Sequence, residues 1–432
     1  MAADRAAGRT RLELFIGKGG VGKTTLACAT AMAHTRSGAR VLIASLDQAH
    51  SLGDALGFRF PHDPGTVTGV ASVLPGLDVI EIDSLELLED RFRDVLRTLG
   101  GGGHEHGIDL AALDPAELTG LPGVQELLML TEIAGFAAED DWDVIVVDCP
   151  PSADMLRIVT APETLLGYLD RMWPAHARAL SATGRDLRRA VLATTAERIA
   201  TAVAGVRDLL ADPERTGARL ITGAERVALA ETARVRSAAA LLGLRLDEVI
   251  VNKVLPPAPP ADSAHPAVRW YLDRRAEQLE VIEELRRRAD VPVSVAHHSG
   301  PEPIGITPLT ELSYAVDSRG SRATSPADPM LGGEVTTGGT DPGEVRLGEP
   351  VVRWESGSGP RSVFTLRMRL PVADPATLRL GRVEDDLIVG ADGVRRRMRL
   401  APVLRRCTVD GAEFEGDQLV VRFRPDPGVW PR

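Results

Sequence analysis

Gly17-Lys18-Gly19-Gly20-Val21-Gly22-Lys23-Thr24-Thr25 decides how the rest of this chain is read. It fits the phosphate-binding pattern G-x-x-x-x-G-K-[ST] and carries a second lysine, Lys18, directly after the first glycine. The flanks suit it. Leu12-Glu13-Leu14-Phe15-Ile16 reads as a buried strand entering the loop, and Thr24 to Thr35 reads as an Ala-rich helix leaving it. In such a loop Gly17, Gly19, Gly20, Val21, Gly22 and Thr25 turn backbone N–H groups inward at a helix N-terminus, where the dipole favours anions. Lys23 is placed to reach the β- and γ-phosphates, and the Thr24 hydroxyl to ligate Mg²⁺. A nucleoside triphosphate site follows.

At 432 residues the chain has room for one large domain and a smaller one. A net charge of −11 argues against nucleic acid or an anionic membrane as the main partner. No apolar run approaches the ~20 residues that span a bilayer, and the N-terminus lacks a signal peptide's apolar segment. A cytoplasmic protein without stable membrane insertion is expected. Cys28, Cys149 and Cys407 are scattered and form no C-x-x-C pair, which fits a reducing compartment and no cysteine-based metal site.

From residue 11 to about 310 apolar strands alternate with amphipathic or Ala-rich helices, the pattern of a parallel sheet covered on both faces. The strands are expected at Leu12 to Ile16, Arg40 to Leu46, Asp78 to Ile82, Asp143 to Val147, Ala218 to Thr222, Glu248 to Asn252 and Val291 to Ala296. Helical insertions at about 84–138 and 162–210 are too long for ordinary crossovers and predict a helical subdomain. Residues 317–350 are rich in Gly, Ser, Thr and Pro, a flexible-linker signature between a P-loop domain (1–316) and a C-terminal part (351–432). In that last part the period changes to two. Phe364, Leu366, Met368 and Leu370 share a face, and turns are expected at Asp392-Gly393 and Asp410-Gly411, which predicts a small all-β sandwich. Arg395, Arg397 and Arg399 read as its solvated outer face.

Catalysis at such a loop needs acids at neighbouring strand ends. Asp148 closes Asp143-Val144-Ile145-Val146-Val147-Asp148, where an acid holds Mg²⁺ through water. Asp47 closes the run from Val41 and is placed to orient or deprotonate the attacking water. Either carboxylate could instead cap the following helix. A lysine at the place of Lys18 points out of its own loop, so it is a candidate to reach a partner subunit's phosphates. The other reading is a surface lysine.

These residues together resemble a family. The loop is similar to the deviant Walker A of the dimerising, signal-recognition-like ATPases. The run Asp47-Gln48-Ala49-His50-Ser51-Leu52-Gly53-Asp54 resembles the switch I segment of the branch holding the arsenite-pump ATPase and the tail-anchored-protein targeting ATPase. Asp148-Cys149-Pro150-Pro151-Ser152-Ala153-Asp154 stands where that branch has switch II, and Pro122-Gly123 with Glu126 is similar to its P-G-x-x-E element. The resemblance implies ATP as the nucleotide, Asn252 reading the adenine at a strand end, and Pro303 within a purine-side loop from Pro301 to Gly305. The β tail, with Leu387 to Arg396, Gly411 to Phe414 and Leu419 to Val421, is similar to small-heat-shock sandwiches.

The departures from the family shape the expected function. There is one ATPase half, no cysteine cluster and no C-x-x-C after Asn252, where Lys253 leads into a proline-rich stretch; Asp154 replaces the family's switch II histidine. The resemblance therefore implies a Mg²⁺-dependent homodimeric ATPase that handles hydrophobic or membrane-protein clients. Leu127, Leu128, Met129 and Leu130, with Leu165, Leu166, Leu169, Met172 and Trp173, either line a client groove or form the subdomain's own core. The alternatives are a metalloid-efflux ATPase, a partitioning ATPase and a non-hydrolysing scaffold. His104, His106, His297 and His298 read as loop residues, not metal ligands.

Overall fold

The computed structural model describes residues 10–47, 51–58, 69–82, 87, 124–183, 187–257, 265–322, 350–371 and 374–430. Gln48 to His50, Pro122, Gly123, His104, His106 and the side chain of Glu126 lie outside the described residues, as do most of insertion 84–138 and residues 323–349 of the linker.

Eight strands form one sheet in the order β3-β4-β2-β5-β1-β6-β7-β8. They are β1 (Arg11–Gly17), β2 (Val41–Ser45), β3 (Ala71–Leu74), β4 (Leu77–Glu81), β5 (Val144–Asp148), β6 (Thr216–Gly223), β7 (Leu246–Val254) and β8 (Val293–His297). β1 runs parallel to both β5 and β6, and β2 runs parallel to both β4 and β5. β2 and β5 are buried at every position, as expected of strands with both faces covered. The edge strand β3 was not anticipated; it pairs antiparallel with β4. Registers Phe15↔Asp148 and Ser45↔Asp148 bring the C-terminal ends of β1, β2 and β5 to one level. In open sheets of this kind ligands bind outside those ends.

The chain divides into two compact units, residues 1–221 with 295–317, and residues 222–294 with 318–432. The first holds helices α1 (Lys23–Arg36), α2 (Ser51–Leu56), α3 (Val124–Glu139), α4 (Ser152–Met172), α5 (Ala175–Ala182) and α6 (Leu187–Ala211). α4 begins ten residues before the expected 162 and keeps Pro162 inside it, so the end of the switch-II-like run is its first turn. In α3, Leu127, Met129, Leu130 and Ile133 are buried, so this stretch is subdomain core. The buried Arg178 of α5 ties the helices together through Asp170 of α4, Glu197 of α6 and the Trp173 carbonyl. α9 (Ile306–Arg322) continues six residues into the stretch read as linker.

The second unit holds α7 (Arg226–Leu242), α8 (Pro266–Arg288) and the C-terminal β structure. That structure comprises β9 (Val351–Ser356), β10 (Val363–Arg369), β11 (Arg379–Val383), β12 (Asp386–Ala391), β13 (Val394–Arg399), β14 (Cys407–Glu415) and β15 (Gln418–Pro425). They form sheets β14-β15-β10-β9 and β11-β12-β13. Leu366, Met368 and Leu370 point into the core, as the alternation predicted. Asp392-Gly393 is a hairpin turn with both residues at positive φ. Asp410-Gly411 is not a turn: the pair lies inside β14 at a register shift, where the sheet absorbs an extra residue as a bulge. Arg395 and Arg399 are exposed, whereas Arg397 pairs with Asp386.

Candidate active site

The site begins where β1 ends. A Cβ on Gly17 would stand 2.3 Å from the Ile221 carbonyl oxygen of β6, so only glycine lets β1 turn there. Gly22 is the N-cap of α1 at φ 91°, with no side chain capping the helix. The first amides of α1 are thus left as donors facing the loop. Lys18, Gly19 and Gly20 are exposed; Val21, Gly22, Thr24 and Thr25 are half-buried. Lys23 is buried, and its Nζ donates to the Lys18 carbonyl at 3.3 Å, which holds the ammonium against its own loop.

Three chain segments then converge. The Thr24 hydroxyl donates to Asp148 Oδ2 at 2.6 Å and lies 3.3 Å from Ser51 Oγ. Asp148 is fully buried, and its Oδ1 has no hydrogen-bond partner among the described residues. Burial pushes the Asp148 carboxyl up to about 6; the Thr24 hydroxyl and the Lys23 charge oppose the rise, and the Asp47 charge adds to it. A buried carboxylate oxygen with no partner among the described residues, beside two hydroxyls, is a donor set that suits a hard oxygen-seeking cation such as Mg²⁺. Asp47 is half-buried; its N–H donates to Ser45 Oγ at 3.2 Å, and Leu46 N–H donates to the Asp148 carbonyl at 2.9 Å. Ser51 was not singled out from the sequence. Its signal was a hydroxyl four residues after Asp47 in the switch-I-like run.

Pro303 is half-buried in the loop before α9, and Gly305 N–H donates to the Ala55 carbonyl at 2.8 Å, joining that loop to the end of α2. In the second unit, Asn252 is half-buried near the end of β7, and Lys253 after it takes φ 58°. The chain beyond is held by α8. Gln278 accepts from Leu255 N–H at 2.9 Å and donates to the Lys253 carbonyl at 3.3 Å, while the Tyr271 hydroxyl donates to the Pro256 carbonyl at 2.7 Å. His297 and His298 are exposed, and His298 Nδ1 accepts from Gly300 N–H. Among the described residues no group of three or more His, Cys, Asp and Glu could hold a metal ion, and the three cysteines are buried and unbridged.

A mostly parallel sheet, a glycine loop at its centre, a buried lysine and a strand-end acid bonded to the loop threonine define a P-loop ATPase. The chain belongs to the anion-transporting ATPase family, whose model matches residues 10–316. A second model, described as an HSP20-like domain found in ArsA, matches residues 362–423. Protein Rv2184c of Mycobacterium tuberculosis (strain ATCC 25618 / H37Rv) is 43% identical over 434 residues, covering 98% of each chain. The arsenical pump-driving ATPase of Acidiphilium multivorum is 30% identical over 279 residues, 61% of this chain and 42% of its own length. Its counterpart from Escherichia coli is 29% identical over 268 residues, again 61% and 42%.

Proposed function

We propose that this ATPase is a Mg²⁺-dependent, nucleotide-gated homodimer of the cytoplasm that handles hydrophobic protein segments. The observation carrying the client reading is a stripe on α4: Leu165, Tyr168 and Met172 are 38%, 56% and 82% exposed. Spacings of three and four put them on one helix face, and Leu180 of α5 is exposed as well. An apolar helical face rich in adaptable side chains is how extended grooves take amphipathic or membrane-destined helices. The relatives' names point to arsenicals, but here the cysteines are buried one by one, and no thiol cluster offers itself to a metalloid.

Within the switch, Thr24 and Asp148 would hold Mg²⁺, the latter through water, and the ion would offset phosphate charge. Lys23 and the amides of Gly17 to Thr25 bind the phosphates, Asp47 orients the attacking water, and Asn252 and Pro303 flank the base. Lys18, exposed on the loop, reaches the partner subunit's phosphates. The test uses purified Asp47→Asn protein and a fluorescent peptide of about 20 apolar residues, long enough to span a bilayer. Anisotropy should show binding with ATP and not with ADP, weakened about tenfold or more by Leu165→Asp with Met172→Asp. Equal binding in every nucleotide state, or hydrolysis stimulated by arsenite, would overturn the reading.

A further inference from the structure

We propose that Glu81 is a positioning residue that anchors the segment carrying Asp47 and Ser51, an inference resting on the role given above to Asp47. Glu81 closes β4 and is only 3% exposed. A carboxylate so deeply buried is costly unless its oxygens are used. Its Oε1 accepts the N–H of Gly53 at 2.8 Å. Gly53 is the third residue of α2, and an amide in a first turn has no partner inside its own helix. Glu81 thus does from a neighbouring strand what an N-cap side chain ordinarily does, and its charge suits that helix end.

The register makes this more than a cap. Ser45 and Glu81 are direct partners across β2 and β4. Ser45 Oγ takes the N–H of Asp47, and Glu81 takes the N–H of Gly53. One cross-strand pair therefore takes the amide of Asp47 on β2's side and the amide of Gly53 on β4's side, with Ser51 in the same helical turn as Gly53. Ser51 Oγ reaches Thr24 from that fixed start of α2. β2 and β5 stand between β4 and β1, the strand that enters the glycine loop, so loss of Glu81 should disturb the acid and the hydroxyl and leave phosphate binding in place.

The test compares Glu81→Ala, Glu81→Gln and Asp47→Asn in the full chain. Glu81→Ala should raise amide exchange across residues 51–58 and lower kcat for ATP, each by about tenfold or more. KM and the affinity for a fluorescent ADP analogue should stay within about twofold. Glu81→Gln keeps an acceptor oxygen at the same reach and should restore most of both. If Glu81→Ala fails to fold, Glu81→Asp, one methylene short, takes its place. Unchanged exchange, unchanged kcat, or no rescue by glutamine would overturn the anchor. Full turnover by Asp47→Asn would overturn the role of Asp47 instead, and the exchange measurement would still decide for or against Glu81.

Discussion

Asp148 is held in the folded chain at a cost that the metal-holding role proposed for it would account for. Its carboxyl is raised from 3.8 to about 6, with burial the largest cause. A raised carboxyl pKa means that folding favours the protonated form. The penalty is therefore absent below 3.8, grows as pH rises towards 6, and is complete above it. At pH 7.5 it is on the order of 3 kcal/mol. Asp148→Asn removes the charge, and the Thr24 hydroxyl can still bond to the amide oxygen. The variant should melt several degrees higher than wild type without nucleotide at pH 7.5, with about a third of that gain at pH 4.5, while phosphate release falls by about a hundredfold. Calorimetry beside a phosphate assay reads both; a lower melting temperature would mean that Asp148 stabilises the fold. Lys23, Thr24 and Asp148 were legible from the sequence because each sits at a fixed offset from a glycine loop or a strand end. Ser51 and Glu81 were not, because their meeting points depend on which strands are neighbours.

Among elements, β1 shows what a pattern of apolar residues hides. It reads as a uniformly buried strand, yet Glu13 in its middle is 2% exposed and charged. His34 of α1 bonds to it at 3.2 Å, Arg219 of β6 pairs with it at 3.2 Å, and Arg11 lies at 3.7 Å. Burial alone would raise this carboxyl; the His34 bond and the Arg219 charge outweigh burial and hold it at about 2, below the ordinary 4.5. A depressed carboxyl pKa stabilises fully above 4.5 and loses that contribution as pH falls towards 2. Glu13→Gln should therefore cost up to about 3 kcal/mol at pH 7 and much less near pH 2.5. Urea midpoints at the two pH values test it, and an equal gap at both would refute the pinning of β1 to α1 and β6. The same lesson applies to β3 and β14. A four-residue edge strand has too short an alternation to stand out, and an Asp-Gly pair signals either a turn or a bulge until its partner strand is known.

At the scale of the molecule, the C-terminal β structure has a core that it does not build alone. Ala240 and Leu241 of α7, inside the region matched by the ATPase family, are completely buried in one cluster with Leu366, Met368, Leu387, Val389 and Phe423. Polar contacts fix the join within this unit. Arg396 of β13 donates to the Leu241 carbonyl at 2.8 Å, at a helix end whose carbonyls need outside donors. Ser237 Oγ donates to the Pro371 carbonyl at 3.0 Å. The alternation of β10 and β13 identified which side chains point inward, but not that a helix more than a hundred residues earlier closes the same core. Leu241→Ala removes a fully buried side chain and should cost about 2–5 kcal/mol. Arg396→Ala loses one bond to a carbonyl and should cost about 1 kcal/mol. Because the cluster is shared, Leu241→Ala should lower the melting of α7 and of the β structure together, and amide exchange should rise in β12 and β13 as well as in residues 226–242. Exchange confined to α7, with β12 and β13 unchanged, would show a self-sufficient β domain and refute the shared core.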